Sequence, residues 1–152
     1  MISINKALDI VEENIKPLNS EIIKVTESFD RILYYEIKAK NSNPAFTISA
    51  MDGIAIKFPR SKNKENRIFE IIGNIYAGDK KKYTIKENQA VRIYTGGKIP
   101  NGADTVVIQE NVKVLENNII QIKGEMKKYQ YVRKKGKDSK KKYILLRKNK
   151  KI

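Results

Sequence analysis

Between residues 45 and 123 the apolar residues never settle into a helical period. They come in short runs: Ile54-Ala55-Ile56, Ile68-Phe69-Glu70-Ile71-Ile72, Gln89-Ala90-Val91-Arg92-Ile93-Tyr94 and Thr105-Val106-Val107-Ile108. Gly73-Asn74, Gly78-Asp79, Thr95-Gly96-Gly97 and Pro100-Asn101-Gly102 punctuate them. Runs of this length and β-branched character, bounded by turn residues, are strand signals, so this stretch can bury itself only as a β domain. Thr105–Ile108 is compact and apolar, which predicts burial on both faces. Two alternating runs, Asn111–Glu116 and Ile119–Lys123, flank Asn117-Asn118 and predict a hairpin.

One short motif inside this domain has two readings. In Ser49-Ala50-Met51-Asp52-Gly53, the Asp-Gly pair is a tight-turn signal, because glycine accepts the positive φ of a type I′ turn. Asp52 is then a residue at a hairpin tip. Alternatively it is a carboxylate displayed at a sheet edge for chemistry. The residues alone favour the turn.

The flanking segments differ. Ser3 as N-cap, with Ile4, Ala7, Leu8, Val11 and Ile15 on one face, predicts a helix over 3–16 that Pro17 stops. Glu21–Val25 reads as a short strand, Ser28–Leu33 as a short helix capped by Thr26, and Tyr34–Ala39 as a strand. Asn41-Ser42-Asn43-Pro44 is a loop and a domain boundary, and Pro59–Asn66 is a polar loop. Tyr143–Arg147 adds one apolar strand before a basic tail. The expected fold is α+β. An N-terminal helix belongs to a small, discontinuous α/β unit, residues 1–40 and 139–152, and a mostly β domain, residues 41–138, is inserted into it.

Composition narrows the chemistry. The chain has no cysteine and no histidine, which excludes disulfides, cysteine nucleophiles, histidine triads and the common zinc sites. Carboxylates, hydroxyls, basic side chains and backbone amides remain, and these suit Mg²⁺ and phosphate. Lys+Arg outnumber Asp+Glu by 32 to 17, a net charge of +15 that favours anionic ligands. Most of that excess is lysine in a sequence also rich in Ile and Asn, so solvated lysine faces explain it better than a dedicated nucleic-acid surface. No apolar run suits a bilayer span or a signal peptide, so a cytoplasmic protein is expected.

Polar residues at strand ends and turns are the candidates for a site: Asp52, Thr95 with Gly96-Gly97, Asp104, Gln109-Glu110 and the segment Arg133-Lys134-Lys135-Gly136-Lys137-Asp138. Thr95-Gly96-Gly97 offers a hydroxyl and unhindered N–H groups to an oxyanion, or is an ordinary Gly-Gly turn, which the residues alone favour; it lacks the spacing of a Walker loop. Arg133 can grip a phosphate bidentately, or the segment is a solvated basic loop, again the reading that the residues alone favour.

Three blocks, in this order, resemble one family. Ser49–Gly53 is the first. The second is Val91-Arg92-Ile93-Tyr94-Thr95-Gly96-Gly97-Lys98-Ile99-Pro100-Asn101-Gly102-Ala103-Asp104-Thr105-Val106-Val107-Ile108-Gln109-Glu110. The third is Arg133–Asp138. Together with the opening helix, Phe29–Leu33 and the loop holding Pro44 and Phe46, they resemble the N-terminal part of the molybdopterin molybdenumtransferases, the MoeA/gephyrin-E family. The resemblance implies a transferase of molybdenum cofactor biosynthesis that inserts molybdate into adenylylated molybdopterin with release of AMP, assisted by Mg²⁺. It implies a homodimer and a small-molecule pterin substrate; the residues themselves point to no membrane partner and rank nucleic acid last. Carried over by position, it implies catalytic roles for Asp52 and Thr95, and ligand binding by Ser49, Gly53, Gly96, Arg133 and Asp138. Either Asp52 or Asp138 is then able to hold Mg²⁺ through water or to position a proton, and neither is singled out as the metal ligand.

The chain departs from the family at Ile48, usually Asn, at Ile54, usually Tyr, and at Lys134, Lys135 and Lys137, usually two arginines and a glutamate. Lysine keeps the charge and loses the bidentate fork. The family's later nucleotide-binding-like domain has no counterpart before Ile152, so this chain alone is expected to be inactive. The alternative is a stand-alone basic module for an anionic pterin, a partner protein or, last, nucleic acid, whose stacking aromatics are not interleaved with the basic residues here.

Overall fold

The computed structural model describes residues 2–16, 18–59 and 67–152. The chain divides into two compact units, Met1–Ile37 with Leu146–Ile152, and Lys38–Leu145.

In the first unit, α1 spans Ile4–Asn14. Ser3 is extended and its hydroxyl accepts the Lys6 N–H at 3.3 Å, satisfying one donor that the first turn leaves free. Ile15 leaves the α region, so the helix ends there; the expected stop, Pro17, lies outside the described residues. No residue of α1 is buried, and the apolar stripe is present but uncovered, with Ile4 80% exposed.

The expected strand at 21–25 does not form. Val25–Glu27 makes a 3-10 turn instead. The expected helix at 28–33 is likewise replaced by pairing with the chain's end. Asp30 N–H donates to the Ile152 carbonyl at 2.9 Å, Leu33 N–H to Lys150 at 2.9 Å, and Asn149 N–H to Leu33 at 2.7 Å. These long-range bonds satisfy the same backbone groups a helix would have used, a tertiary choice that local propensity cannot register. The strands expected at 34–39 and 143–147 shrink to β1 (Ile37–Lys38) and β10 (Ile144–Leu146), which pair with each other.

The second unit is mostly β. Besides β2 (Ile48–Ser49) and β9 (Val132–Arg133), it holds β3 (Gly53–Ile56), β4 (Ile68–Ile75), β5 (Gln89–Ile93), β6 (Thr105–Ile108), β7 (Val112–Glu116) and β8 (Ile119–Ile122). The last six form one sheet in the order β6-β3-β5-β4-β8-β7, antiparallel except for the parallel pair β4–β5. Strands β6 and β7 are its opposite edges, although only Gln109–Asn111 separates them in sequence. In a flat sheet those edges would lie about 24 Å apart. The step from Ile108 to Val112 spans at most about 14 Å. The sheet is therefore curled.

Curling leaves two apolar layers. Ile54, Ile56, Phe69, Ala90, Val107, Ile120 and Ile122 form one, closed by Met126. Ala55, Ile75, Val91, Ile93 and Val106 form the other, covered by Ile85, Tyr83, Ile99 and Tyr131. The alternation along β3 sends Ile54 and Ile56 one way and Ala55 the other, and all four of its residues are buried. Each fully buried isoleucine contributes about 1.5–3 kcal/mol. As its apolar run predicts, β6 is buried on both faces, and the Asn117-Asn118 hairpin forms between β7 and β8.

Two turn readings are corrected. Gly73-Asn74 does not end β4. The strand bulges between Ile71 and Asn74 and runs on to Ile75, and Gly73 lets the Tyr83 ring pack where a Cβ would stand. Asp52-Gly53 is not a hairpin tip, because β2 pairs with β9 while β3 pairs with β5 and β6. Gly53 opens β3 without a positive φ; a Cβ there would overlap the Val107 carbonyl oxygen. Most of the expected loop at 59–66 lies outside the described residues.

Candidate functional site

Sheet order brings Asp52 to Thr95. Strands β3 and β5 are antiparallel, with Gly53 opposite Ile93, so the residue before β3 meets the turn after β5. Asp52 Oδ1 accepts the Thr95 N–H at 2.8 Å and the Thr95 hydroxyl at 2.7 Å. Those two bonds, the backbone one foremost, hold the Asp52 carboxyl below its ordinary pKa, since both stabilise the charged form. The side chain is exposed, so it is an ionised carboxylate within reach of solvent.

The turn that carries Thr95 is tied to Ser49. Ser49 N–H donates to the Gly97 carbonyl and Gly96 N–H donates to the Ser49 carbonyl, both at 2.9 Å. The Ser49 side chain is buried, and its hydroxyl donates to the Met51 carbonyl at 2.6 Å, shaping the approach to Asp52. Gly97 N–H donates to Tyr94 at 2.8 Å. Both glycine N–H groups are thus used inside the protein, as in the ordinary Gly-Gly turn that the residues favour, and are not offered to an oxyanion. Gly96 is needed for its φ of +81°. The Thr95 hydroxyl proton is likewise directed at Asp52, leaving that oxygen as an acceptor.

Strand β2 links this turn to the basic segment. Its partner is β9, with Ile48 opposite Arg133 and Ser49 opposite Val132. Arg133 is ion-paired with Asp138, which holds the Asp138 carboxyl below its ordinary value and raises the guanidinium above its own. Asn43, which the sequence reading did not single out, donates to the same Asp138 oxygen at 3.3 Å, and Asp138 N–H returns to the Asn43 carbonyl at 3.0 Å. The signal for Asn43 is long-range and has no trace in local sequence.

Ile54 stands one residue from the turn but is buried in the core, so it does not line the Asp52 surface. Asp104 is structural: its Oδ1 accepts the Phe58 N–H at 2.7 Å and the Thr105 hydroxyl at 3.0 Å. Gln109 and Glu110 lie exposed in the 3-10 turn between β6 and β7. Among the described residues no three carboxylates converge, and no helix is long and apolar enough to cross a membrane.

Over residues 2–152 the chain matches the family described as the MoeA N-terminal region (domain I and II), and it belongs to that family. The molybdopterin molybdenumtransferase of Staphylococcus epidermidis is 42% identical over 113 residues, 72% of this chain and 27% of that protein. The enzyme of that name from Haemophilus influenzae is 31% identical over 96% of this chain and 36% of its own length. Gephyrin of Dictyostelium discoideum is 31% identical over all of this chain and 23% of itself. Two structures of the molybdopterin biosynthesis MoeA protein of Pyrococcus horikoshii share the fold, with TM-scores of 0.77 and 0.79 at 25% and 26% identity. They cover 99% and 97% of this chain and 39% and 40% of theirs. The chain thus spans about a quarter to two fifths of the length of these relatives.

Proposed function

We propose that this chain acts as the N-terminal part of a molybdenum cofactor biosynthesis enzyme, one that inserts molybdate into adenylylated molybdopterin and releases AMP. The observation that supports this reading is the meeting of Asp52 and Thr95 at one end of the curled sheet, in a chain of this family. Asp52, kept ionised by Thr95, is the group that accepts a proton or a hydrogen bond from substrate, and Thr95 fixes its direction. Ser49, Gly53 and Gly96 shape the turn. Arg133 supplies a planar fork for a phosphate, with Asp138 and Asn43 holding its orientation. Lys134, Lys135 and Lys137 add point charge beside it.

Asp52 Oδ2, which neither Thr95 bond uses, suits contact with an Mg²⁺ ion that takes its other ligands from substrate phosphates and water. When bound, that ion would neutralise charge on the phosphate oxygens. Asp138 is less suited, being engaged by Arg133. The dimer, the cytoplasmic setting and the inactivity of this chain by itself belong to the same proposal.

The test is AMP release from adenylylated molybdopterin, with molybdate, by the enzyme that carries this chain as its N-terminal part. Asp52→Asn is expected to lose about a hundredfold or more in turnover. Unchanged turnover would remove the role given to Asp52. Robust turnover by the 152 residues alone would refute the expected inactivity.

A further inference from the structure

Two tyrosines stand beside this turn without a part in the scheme above. The rings of Tyr76 and Tyr94 are stacked, with centroids 4.6 Å apart and planes 8° from parallel. Tyr94 directly precedes Thr95, and its N–H donates to the Ile75 carbonyl at 3.1 Å. Tyr76 follows Ile75. Its N–H donates to the Asp79 carboxylate at 3.0 Å and its carbonyl accepts the Asp79 N–H at 3.2 Å. The next residue, Ala77, lies against Gly96, where an added Cβ would meet its methyl at 3.3 Å. Both rings are therefore fixed to backbone that is tied to the Thr95–Gly97 turn.

Tyr76 is 49% exposed although one face is covered by Tyr94. An apolar ring held rigidly at the protein surface, backed by a second ring, is a stacking platform whose ordering cost is met in the folded protein. We infer that the outer face of Tyr76 receives a planar heteroaromatic ring of the substrate while the charged part of the ligand lies toward Asp52 and Arg133. The inference rests on the proposed function, which supplies two rings of this chemistry, the pterin and the adenine. It adds a positioning residue to that reading. Tyr94 acts by fixing Tyr76, and the Asp79 bonds keep the platform from turning away.

The experiment is an NMR titration of the chain with pterin-6-carboxylate and, separately, with AMP. Stacking predicts upfield ring-current shifts on the Tyr76 ring protons and perturbation of the Ala77, Thr95 and Gly96 amides. The probe that produces them identifies which ring is held. Tyr76→Ala should weaken that probe's binding about five- to tenfold. Tyr76→Phe should keep it within about twofold, because the hydroxyl is not part of the stacking face. Binding at Thr95 that is indifferent to Tyr76→Ala would overturn the platform and leave the proposed function standing. Failure of both probes to shift the Tyr76 ring protons of the wild-type chain at millimolar concentration would also overturn the platform, whereas the proposed function is decided separately by AMP release.

Discussion

Thr95 gives both its backbone N–H and its hydroxyl to a single oxygen, Oδ1 of Asp52, across 43 residues of sequence. The pair makes the direction of the Asp52 carboxylate a property of the sheet rather than of its own rotamer.

Replacing Thr95 with Val removes one of these bonds and leaves the other. The Asp52 pKa should rise part of the way to its ordinary value, because the backbone bond is the larger cause of its lowering. Thr95→Ser should keep it low. Carboxyl carbon shifts followed against pH would show both.

Acid should undo the pair in a defined window. The native pKa values of Asp52 and Asp138 are lowered, so the native state binds fewer protons than the unfolded state near pH 4. Their contribution is complete above the ordinary carboxylate range and is lost as pH falls through the lowered native values. Thermal midpoints measured from pH 7 down to 3 should therefore fall more for the wild type than for Asp52→Asn. Salt should shrink the Asp138 part, since its ion pair with Arg133 is exposed.

Gly53 and Gly78 should differ in how they tolerate a methyl group. Gly53→Ala drives a Cβ into the carbonyl of Val107 on the neighbouring strand β6, and is expected to cost roughly 1–3 kcal/mol or more. Gly78→Ala meets nothing within 4 Å and costs only its positive φ, about 1–2 kcal/mol. Urea denaturation of the two variants would separate overlap from backbone strain.

Arg133→Lys should dissociate binding from stability. The ion pair is exposed, so the unfolding midpoint should scarcely move. Loss of the planar fork should weaken a phosphate-bearing pterin, measurable by calorimetry at fixed salt. A midpoint that drops as far as affinity would make Arg133 a structural residue.

The uncovered stripe on α1 predicts self-association, as the proposed dimer requires. Ile4, Leu8, Val11 and Ile15 are all more than half exposed. Sedimentation should show association of the wild type that Leu8→Lys reduces. A concentration-independent monomer would speak against the dimer for this chain.

Much of the β unit was legible in the sequence. Thr105–Ile108 and the Asn117-Asn118 hairpin announce themselves because period, β-branching and turn residues are local properties. So does α1, from its cap and its stripe. The segment at 28–33 departs from its expected helix because its backbone partners lie at the far end of the chain, and no window that short contains Lys150 or Ile152, whereas 21–25 gives way to a local turn in which the Lys24 and Val25 carbonyls accept from Glu27 and Ser28. Gly53 shows the same limit: its side-chain-free position is demanded by Val107, not by a turn. The sequence alone named Asp52, Thr95, Arg133 and Asp138 through resemblance, one block at a time. Only the sheet order decided that Asp52 faces Thr95, that Ser49 ties the turn and β2 carries it to Arg133, and that Tyr76 stands beside it all. Hydrogen bonds between distant strands depend on register, and register is set when the whole sheet closes on its core.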